Sequence, residues 1–393
     1  MENNKTIKIC ALTTISKTMD WFIVDSMRNL SNNGYNVTLI CDMEDGFKER
    51  NSDYANCINI SMSRGISVAD LIKIPLRLYK IFKKEKFDVI YFSSPNVSLY
   101  AALAGMLSGV KYRIYSQCGI RYVSFEGVKK HIFKVVEKII CFFSTHIRAV
   151  SKKNMQFAIE EKLCSASKIS VVGIGGTIGV DLKNCDGFDR MQERRRLRDK
   201  YNIPQNAFVY GYVGRVNKDK GINELITAFV RLQKKYENIY LVMMGMIDNA
   251  NPIEKENLQI ARENPQIILT GNVNHELVYP HMAMFDILVH PTYREGFGMV
   301  LQEAMAMNLP IITTDIPGPS EVIEKDISGI LVEARNSEDL EEKMSKIYID
   351  GELRERLAKA GRARVEKYFD RPVMLDNILR DMNKTIGIAN CSL

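Results

Sequence analysis

The chain has eight cysteines but no C-x-x-C pair, a single tryptophan, and no D-x-D pair anywhere in its 393 residues. Scattered cysteines, several of them inside apolar runs, read as reduced thiols and exclude a zinc site or a disulfide frame as the organising device. Without a D-x-D pair, a carboxylate clamp for a divalent metal is not expected, so the chemistry is expected to run without metal or cofactor. The opening residues Met1-Glu2-Asn3-Asn4-Lys5 lack the apolar centre of a secretory leader. No apolar run reaches the roughly 18 residues needed to span a bilayer. These absences predict a soluble, cytoplasmic protein, and nucleic acid is not expected as a partner.

What is present begins with size and charge. A chain of 393 residues, 46% hydrophobic and 26% charged, is long for one core, which predicts two domains. Residues 1–185 carry 26 Lys+Arg against 16 Asp+Glu, a net charge of +10, while the remainder carries −3 of the overall +7. Such asymmetry predicts an anionic partner for the first half. Apolar, β-branched runs at residues 5–12 and 36–41 flank a helix expected around residues 22–30, closed by Gly34. That is a βαβ unit, continued by strands at 89–92, 112–115 and 147–150, and it predicts a parallel sheet of α/β type. Ligands of such sheets bind beyond the carboxyl ends of the strands, so loops 13–20, 93–96, 116–122 and 151–154 are candidates. Two segments, 71–84 and 129–140, mix apolar residues with Lys and Arg at helical spacing. They read either as amphipathic helices with solvated faces or as contacts to an anionic membrane surface.

The second half holds the sharper motifs. A strand expected at 286–289 leads into His290-Pro291-Thr292-Tyr293-Arg294-Glu295-Gly296-Phe297-Gly298, then into the helix-favouring run Met299-Val300-Leu301-Gln302-Glu303-Ala304. Asn308 and Pro310 should end that helix. A helix start preceded by glycines presents unpaired N–H groups to an anion, and Gly296 and Gly298 let a ligand approach the main chain. Glu295 and Glu303 are carboxylates suited to a hydroxyl-rich ligand. Upstream, a strand expected at 208–214 is followed by Arg215-Val216-Asn217-Lys218-Asp219-Lys220-Gly221, placing two cations five apart on a strand-to-helix loop. That spacing suits a diphosphate, with Arg forking two oxygens and Lys acting as a point charge. His281 and His290 read as packing or capping residues. The glycine-rich stretch 171–181 reads as a turn into an interdomain linker.

The segment from Pro291 through the Glu295-to-Glu303 pair to Pro310, Gly318 and Glu321 resembles the C-terminal half of glycosyltransferase family 4. The Gly214-Arg215…Lys220-Gly221 loop resembles that family's diphosphate loop. The resemblance covers most of the chain and is stronger in its second half. It implies the GT-B fold: two Rossmann-like parallel-sheet domains facing a cleft. It implies a hexosyltransferase-type enzyme that moves a sugar, with retention, from a nucleotide sugar (UDP-linked by expectation) to a hydroxyl acceptor. It implies Glu295, Arg215 and Lys220 as catalytic residues. It implies donor contacts from Gly214, Gly296, Phe297, Gly298, Met299, Val300 and Glu303, with Glu295 on sugar hydroxyls and Glu303 on the ribose. Gly119 and Arg121 fall in a stretch that resembles the acceptor side, where Arg121 is free to hold an anionic acceptor, close on the donor, or serve structure. Where relatives often carry histidine, Cys118 stands, so no catalytic histidine is assigned. The expected division is residues 1–182, a linker at 183–204 whose polar, charged stretch 183–200 includes a helix, a donor domain at 205–370, and a final helix from 371 crossing back to the first domain. With the basic first half, this suggests a lipid-linked acceptor for cell-surface polysaccharide at the inner face of the membrane. A nucleotide-sugar 2-epimerase and a catalytically silent nucleotide-sugar-binding subunit share the same motifs and stay open.

Overall fold

The structure, a computed structural model, describes residues 6–63 and 68–388. Among them, thirteen strands make two all-parallel sheets. The first contains β1 (Lys8–Ile15), β2 (Asn36–Asp42), β3 (Ala55–Asn59), β4 (Val89–Phe92), β5 (Tyr112–Gln117), β6 (His146–Ala149) and β7 (Ile169–Val171). Their spatial order is β3-β2-β1-β4-β5-β6-β7. The second contains β8 (Phe208–Val213), β9 (Ile239–Met244), β10 (Ile267–Gly271), β11 (Ile287–His290), β12 (Ile311–Thr314) and β13 (Ile330–Val332). Their order is β10-β9-β8-β11-β12-β13. Helices cover both faces, so the central strands read as unbroken apolar runs: Ile9, Cys10, Ala11 and Leu12 are all buried. In each sheet the chain starts near the middle, builds one way, then returns to build the other. The resulting switch points lie between β1 and β4 and between β8 and β11, where crevices open at the carboxyl ends.

Two compact units follow these sheets: Met1–Ile178 with Pro372–Leu393, and Gly179–Arg371. The second unit is tied where the chain enters and leaves it. Val180 N–H donates to Phe369 O at 2.8 Å and Arg371 N–H donates to Val180 O at 2.9 Å. From Pro372 onward the helix Arg371–Ile386 belongs to the first unit. There Met382 and Ile386 join the core beneath β1 and β2, and Arg148 pairs with Asp381 at 2.6 Å.

Residues 183–204, expected as a linker, are instead a packed part of the second unit. They form the helices Leu182–Asp186 and Arg190–Lys200. The reason is Arg198, fully buried, which donates to Met284 O (2.8 Å) and Ala207 O (2.8 Å) and pairs with Asp286 at 2.9 Å. Arg194 holds the other oxygen of Asp286 at 2.6 Å. Arg194 and Arg198 are the pins that fasten this helix. The loop expected at 13–20 is also absent. β1 runs on through Thr13, Thr14 and Ile15, and the helix Ser16–Phe22 starts directly after it. The helix expected around 22–30 is two, Ser16–Phe22 and Val24–Asn32, broken at Ile23 with φ −127° and ψ −40°. The two basic segments are the helices Val68–Glu85 and Gly127–Phe143. Among the described residues the cysteines are free; Cys391 lies outside them.

Candidate active site

The second unit gathers its charged residues where β8 and β11 end. β8 delivers Gly214 and Arg215, and a short 3-10 turn, Lys218–Lys220, precedes the helix Ile222–Gln233. β11 delivers His290, and the loop behind it carries Glu295 to the helix Met299–Ala306. The two loops are zipped together. Tyr293 N–H donates to Asp219 O at 2.8 Å, and Arg294 Nε donates to the Asp219 carboxylate at 2.7 Å. Gly221 sits at φ +69°, and a Cβ there would lie 1.9 Å from Pro291 O, so only glycine permits this approach.

Within that frame Lys220 Nζ donates to Glu295 Oε2, and His290 Nε2 lies 3.5 Å from the same oxygen. The other oxygen, Oε1, accepts from Gly296 N–H at 3.1 Å. Burial pushes the Glu295 carboxyl up, but Lys220 and then His290 outweigh it and hold the group well below the ordinary carboxylate range. Burial, opposed by Glu295, lowers the His290 imidazole, which therefore stays neutral at pH 7. The ring of His290 stacks on Tyr212, with centroids 5.7 Å apart and planes 9° apart, and Tyr212 OH donates to Arg215 O at 2.8 Å. One stack thus links the Glu295 loop to the Arg215 loop. Arg215 extends its side chain to solvent, 64% exposed, and pairs with Asp248 at 2.7 Å. Asp248 also accepts from Asn217 at 3.1 Å. Beside Arg215 opens a cavity of about 430 Å³ lined by Gly214, Arg215, Gly245, Asp248, Asn272 and Val273. Its floor is backbone, because a Cβ on Gly245 would lie 1.9 Å from Gly214 O.

The description "Glycosyl transferases group 1" matches residues 193–364, and "Glycosyl transferase 4-like" matches residues 8–151. The capsular polysaccharide biosynthesis glycosyltransferase CapM of Staphylococcus aureus is 30% identical over 377 residues, covering 95% of this chain and 96% of that protein. The chain belongs to the group 1 glycosyltransferases. It is therefore an enzyme of glycosyl transfer. The Escherichia coli UDP-Gal:alpha-D-GlcNAc-diphosphoundecaprenol alpha-1,3-galactosyltransferase is 24% identical over 77% of this chain and 78% of its own. Two solved structures align at TM-score 0.78: a glycosyltransferase from Rickettsia africae (20% identity, covering 98% of this chain and 100% of its own) and Anabaena Alr3699/HepE in complex with UDP and glucose (18% identity, 96% and 99%). These likenesses are of fold, and the fold is GT-B.

In this glycosyltransferase Glu303 keeps different company from Glu295. It lies just over a turn into the helix Met299–Ala306, with Arg371, Tyr279 and Cys185 as its charged or titratable neighbours. Burial pushes its carboxyl up to about 7, partly opposed by Arg371. Gly298 caps the helix at φ +91°, so the Met299 and Val300 amides fall in its open first turn. Gly296 is pressed from behind: a Cβ on Gly318 would lie 2.3 Å from its carbonyl oxygen. Phe297, in the expected donor-binding set, is buried. Its ring is 3% exposed and packs edge-on to Phe369 at 5.7 Å, so the residue offers a ligand backbone only. Gly119 and Arg121 follow β5, with Arg121 opening the 3-10 turn Arg121–Ser124. Cys118 is exposed, its Sγ 3.5 Å from Ser93 Oγ. His290 packs as the sequence reading expects, buried and stacked on Tyr212; what the structure adds is its approach to Glu295.

Proposed function

We propose that this glycosyltransferase moves a hexosyl group from a UDP-sugar, with retention, to a hydroxyl of a lipid-linked or growing cell-surface polysaccharide intermediate, working at the cytoplasmic face of the membrane. The observation that carries the reading is the meeting of Lys220, Glu295 and His290 at the carboxyl ends of β8 and β11, beside the Arg215 cavity. The names of the relatives support it: one acts in capsular polysaccharide biosynthesis, another takes UDP-Gal to a diphosphoundecaprenol-linked sugar, and a structure of similar fold holds UDP and glucose.

The chemical demand is to stabilise a departing diphosphate and an oxocarbenium-like sugar. Arg215 and Lys220, with the N–H groups of Met299 and Val300, supply positive potential for the leaving group. Glu295, held ionised, accepts from sugar hydroxyls, and Glu303 accepts from the ribose. The cavity lined by Gly245 and Asn272 takes the base. Because the sequence carries no D-x-D pair to clamp a divalent ion, we infer that these cations and amides, rather than a metal, neutralise the leaving group. Among the described residues no helix is long and apolar enough to cross a membrane, so membrane work falls to a surface of the protein.

The test is a UDP-release assay with a panel of UDP-sugars, each with and without undecaprenyl-diphosphate-linked sugar acceptors, and with product anomers read by NMR. Release that requires the lipid acceptor and retains the anomeric configuration is expected. An epimer formed from donor alone would replace this reading with a 2-epimerase. Donor binding without turnover on any acceptor would leave a binding subunit.

A further inference from the structure

The helix Gly127–Phe143 has two faces with opposite duties. Glu137 points inward, 6% exposed, and accepts from Tyr115 OH at 3.1 Å and from Gln117 Nε2 at 2.7 Å. Ile140 and Cys141 are buried beside it. On the opposite side Val128, Ile132, Val135, Ile139 and Phe142 recur at intervals of four and three residues and are 76%, 53%, 55%, 37% and 74% exposed. That is a continuous apolar stripe, about 21 Å long at 1.5 Å per residue. Isolated exposed apolar residues are ordinary; a stripe along one whole helix is not.

We propose that this stripe is the face by which the enzyme lies on an anionic bilayer, the helix resting in the interfacial plane. Charge selects this occupant. Lys129 and Lys138 lie about 80–100° to either side of the stripe and are exposed, while the helix's own acid, Glu137, is turned away. Lys168 adds a cation at the far end, donating to Phe142 O at 2.8 Å. A second copy docking through the same stripe would set these lysines against one another. An amphipathic helix with lysines beside an apolar strip suits a headgroup boundary carrying negative charge.

The inward contacts give the docking a purpose, which rests on the reading of a lipid-linked acceptor. Tyr115 and Gln117 belong to β5, and Gly119 lies two residues beyond Gln117. Lys134 of the helix pairs with Glu161, and Tyr122 OH donates to that same carboxylate at 2.9 Å. Phe133 packs on Phe125 with centroids 4.7 Å apart. The helix that meets the bilayer is thereby bolted to both ends of residues 117–122, the expected acceptor loop.

Co-sedimentation with vesicles of phosphatidylglycerol and phosphatidylcholine tests this on the full chain. Wild type should partition to the anionic vesicles in preference to pure phosphatidylcholine. Two lysines near an anionic surface together strengthen partition by about thirtyfold, so the charge-reversed variant K129E/K138E should lose most of it at low salt. Ile132→Asp with Val135→Asp, both at exposed positions, should lower partition by about tenfold or more at any salt. Neither variant should change UDP affinity measured by calorimetry. Wild-type partition in the Asp variant, or an apolar stripe that drives concentration-dependent dimers instead of vesicle binding, would overturn the proposal. Absence of UDP binding in the wild type, with vesicle binding intact, would refute the donor reading and leave the docking face standing.

Discussion

Glu303 makes stability depend on pH in a direction opposite to most carboxylates. Burial lifts its affinity for a proton from the ordinary 4.5 to about 7. The native state therefore holds this proton more tightly than the unfolded chain between those two values. Where the native state binds more protons, stability falls as pH rises. The contribution is fully present below pH 4.5, declines across the interval, and is gone above pH 7. Each tenfold change in proton affinity is about 1.4 kcal/mol, so the whole decline amounts to about 3 kcal/mol.

The substitution that isolates this is Glu303→Gln, which keeps the shape and removes the titration. At pH 5 wild type and variant should unfold at nearly the same urea concentration. At pH 8 the variant should be more stable by about 3 kcal/mol, because the wild type alone must then hold a poorly solvated charge near Tyr279 and Cys185. Every other titrating group is common to both proteins, so the difference between the two curves, not either curve alone, carries the result. A difference that stays constant from pH 5 to pH 8 would refute the burial of Glu303. Donor affinity should move the opposite way. If the ionised carboxylate accepts from ribose hydroxyls, wild-type affinity for UDP rises through pH 7 and the variant loses that rise.

Three further outcomes test the frame and the cluster. Lys220→Ala removes the cation beside Glu295 and should lower kcat by about 10²–10³, the scale of losing one preorganised charge-stabilising group; it also strands the covered Glu295 carboxylate, at a cost of about 3 kcal/mol, so steady-state UDP release is measured well below the variant's own thermal midpoint. Gly221→Ala places a Cβ 1.9 Å from Pro291 O, whereas Gly34→Ala, at φ +86°, meets nothing within 4 Å. Both carry the left-handed backbone penalty of about 1 kcal/mol, so the extra loss of about 2 kcal/mol or more expected for Gly221→Ala in urea unfolding measures the loop contact itself. Asp286→Ala leaves the fully buried Arg198 without its carboxylate and should cost about 3 kcal/mol; a loss below 1 kcal/mol by the same method would show that the carbonyl partners of Arg198 suffice.

The sheets were legible where burial leaves an unmistakable pattern. Residues 89–92 were read at the observed bounds as one more β-branched and aromatic run continuing the βαβ pattern, and the final helix was placed from 371 by the family resemblance. β3 was missed because Ala55–Asn59 lies toward the sheet margin, with Asn56 and Asn59 exposed. β7, β12 and β13, three or four residues long, were not singled out. Thr13 and Thr14 looked like loop residues, yet both are buried at the end of β1; no glycine was needed because no loop is there. The misreading of 183–204 has one cause. Sequence shows that Arg194 and Arg198 are charged, but only packing shows that Asp286, 88 residues beyond Arg198, reaches them. His290 packs as expected, and only the three-dimensional structure shows that its partners are Tyr212 and Glu295.

In the cluster itself, Glu295, Lys220 and Arg215 were read from spacing, and the structure adds how their charges are spent before a donor arrives. Arg215 is paired with Asp248 across an exposed contact, 64% exposed on the arginine side. Such a pair is worth at most about 1 kcal/mol, so a diphosphate can take Arg215 from Asp248 at small cost. Lys220 and Glu295 are more covered, 15% and 25% exposed, and both are fixed by their loops. Separating them would strand a partly desolvated carboxylate. The two cations therefore should not answer the donor alike. On the proposed reading, Arg215 is expected to swing to the departing diphosphate. Lys220 is expected to stay with Glu295 as a single preformed group, its remaining donors toward phosphate and the carboxylate toward the sugar. His290, neutral and stacked on Tyr212, keeps that group in place without adding a charge that would compete for the carboxylate.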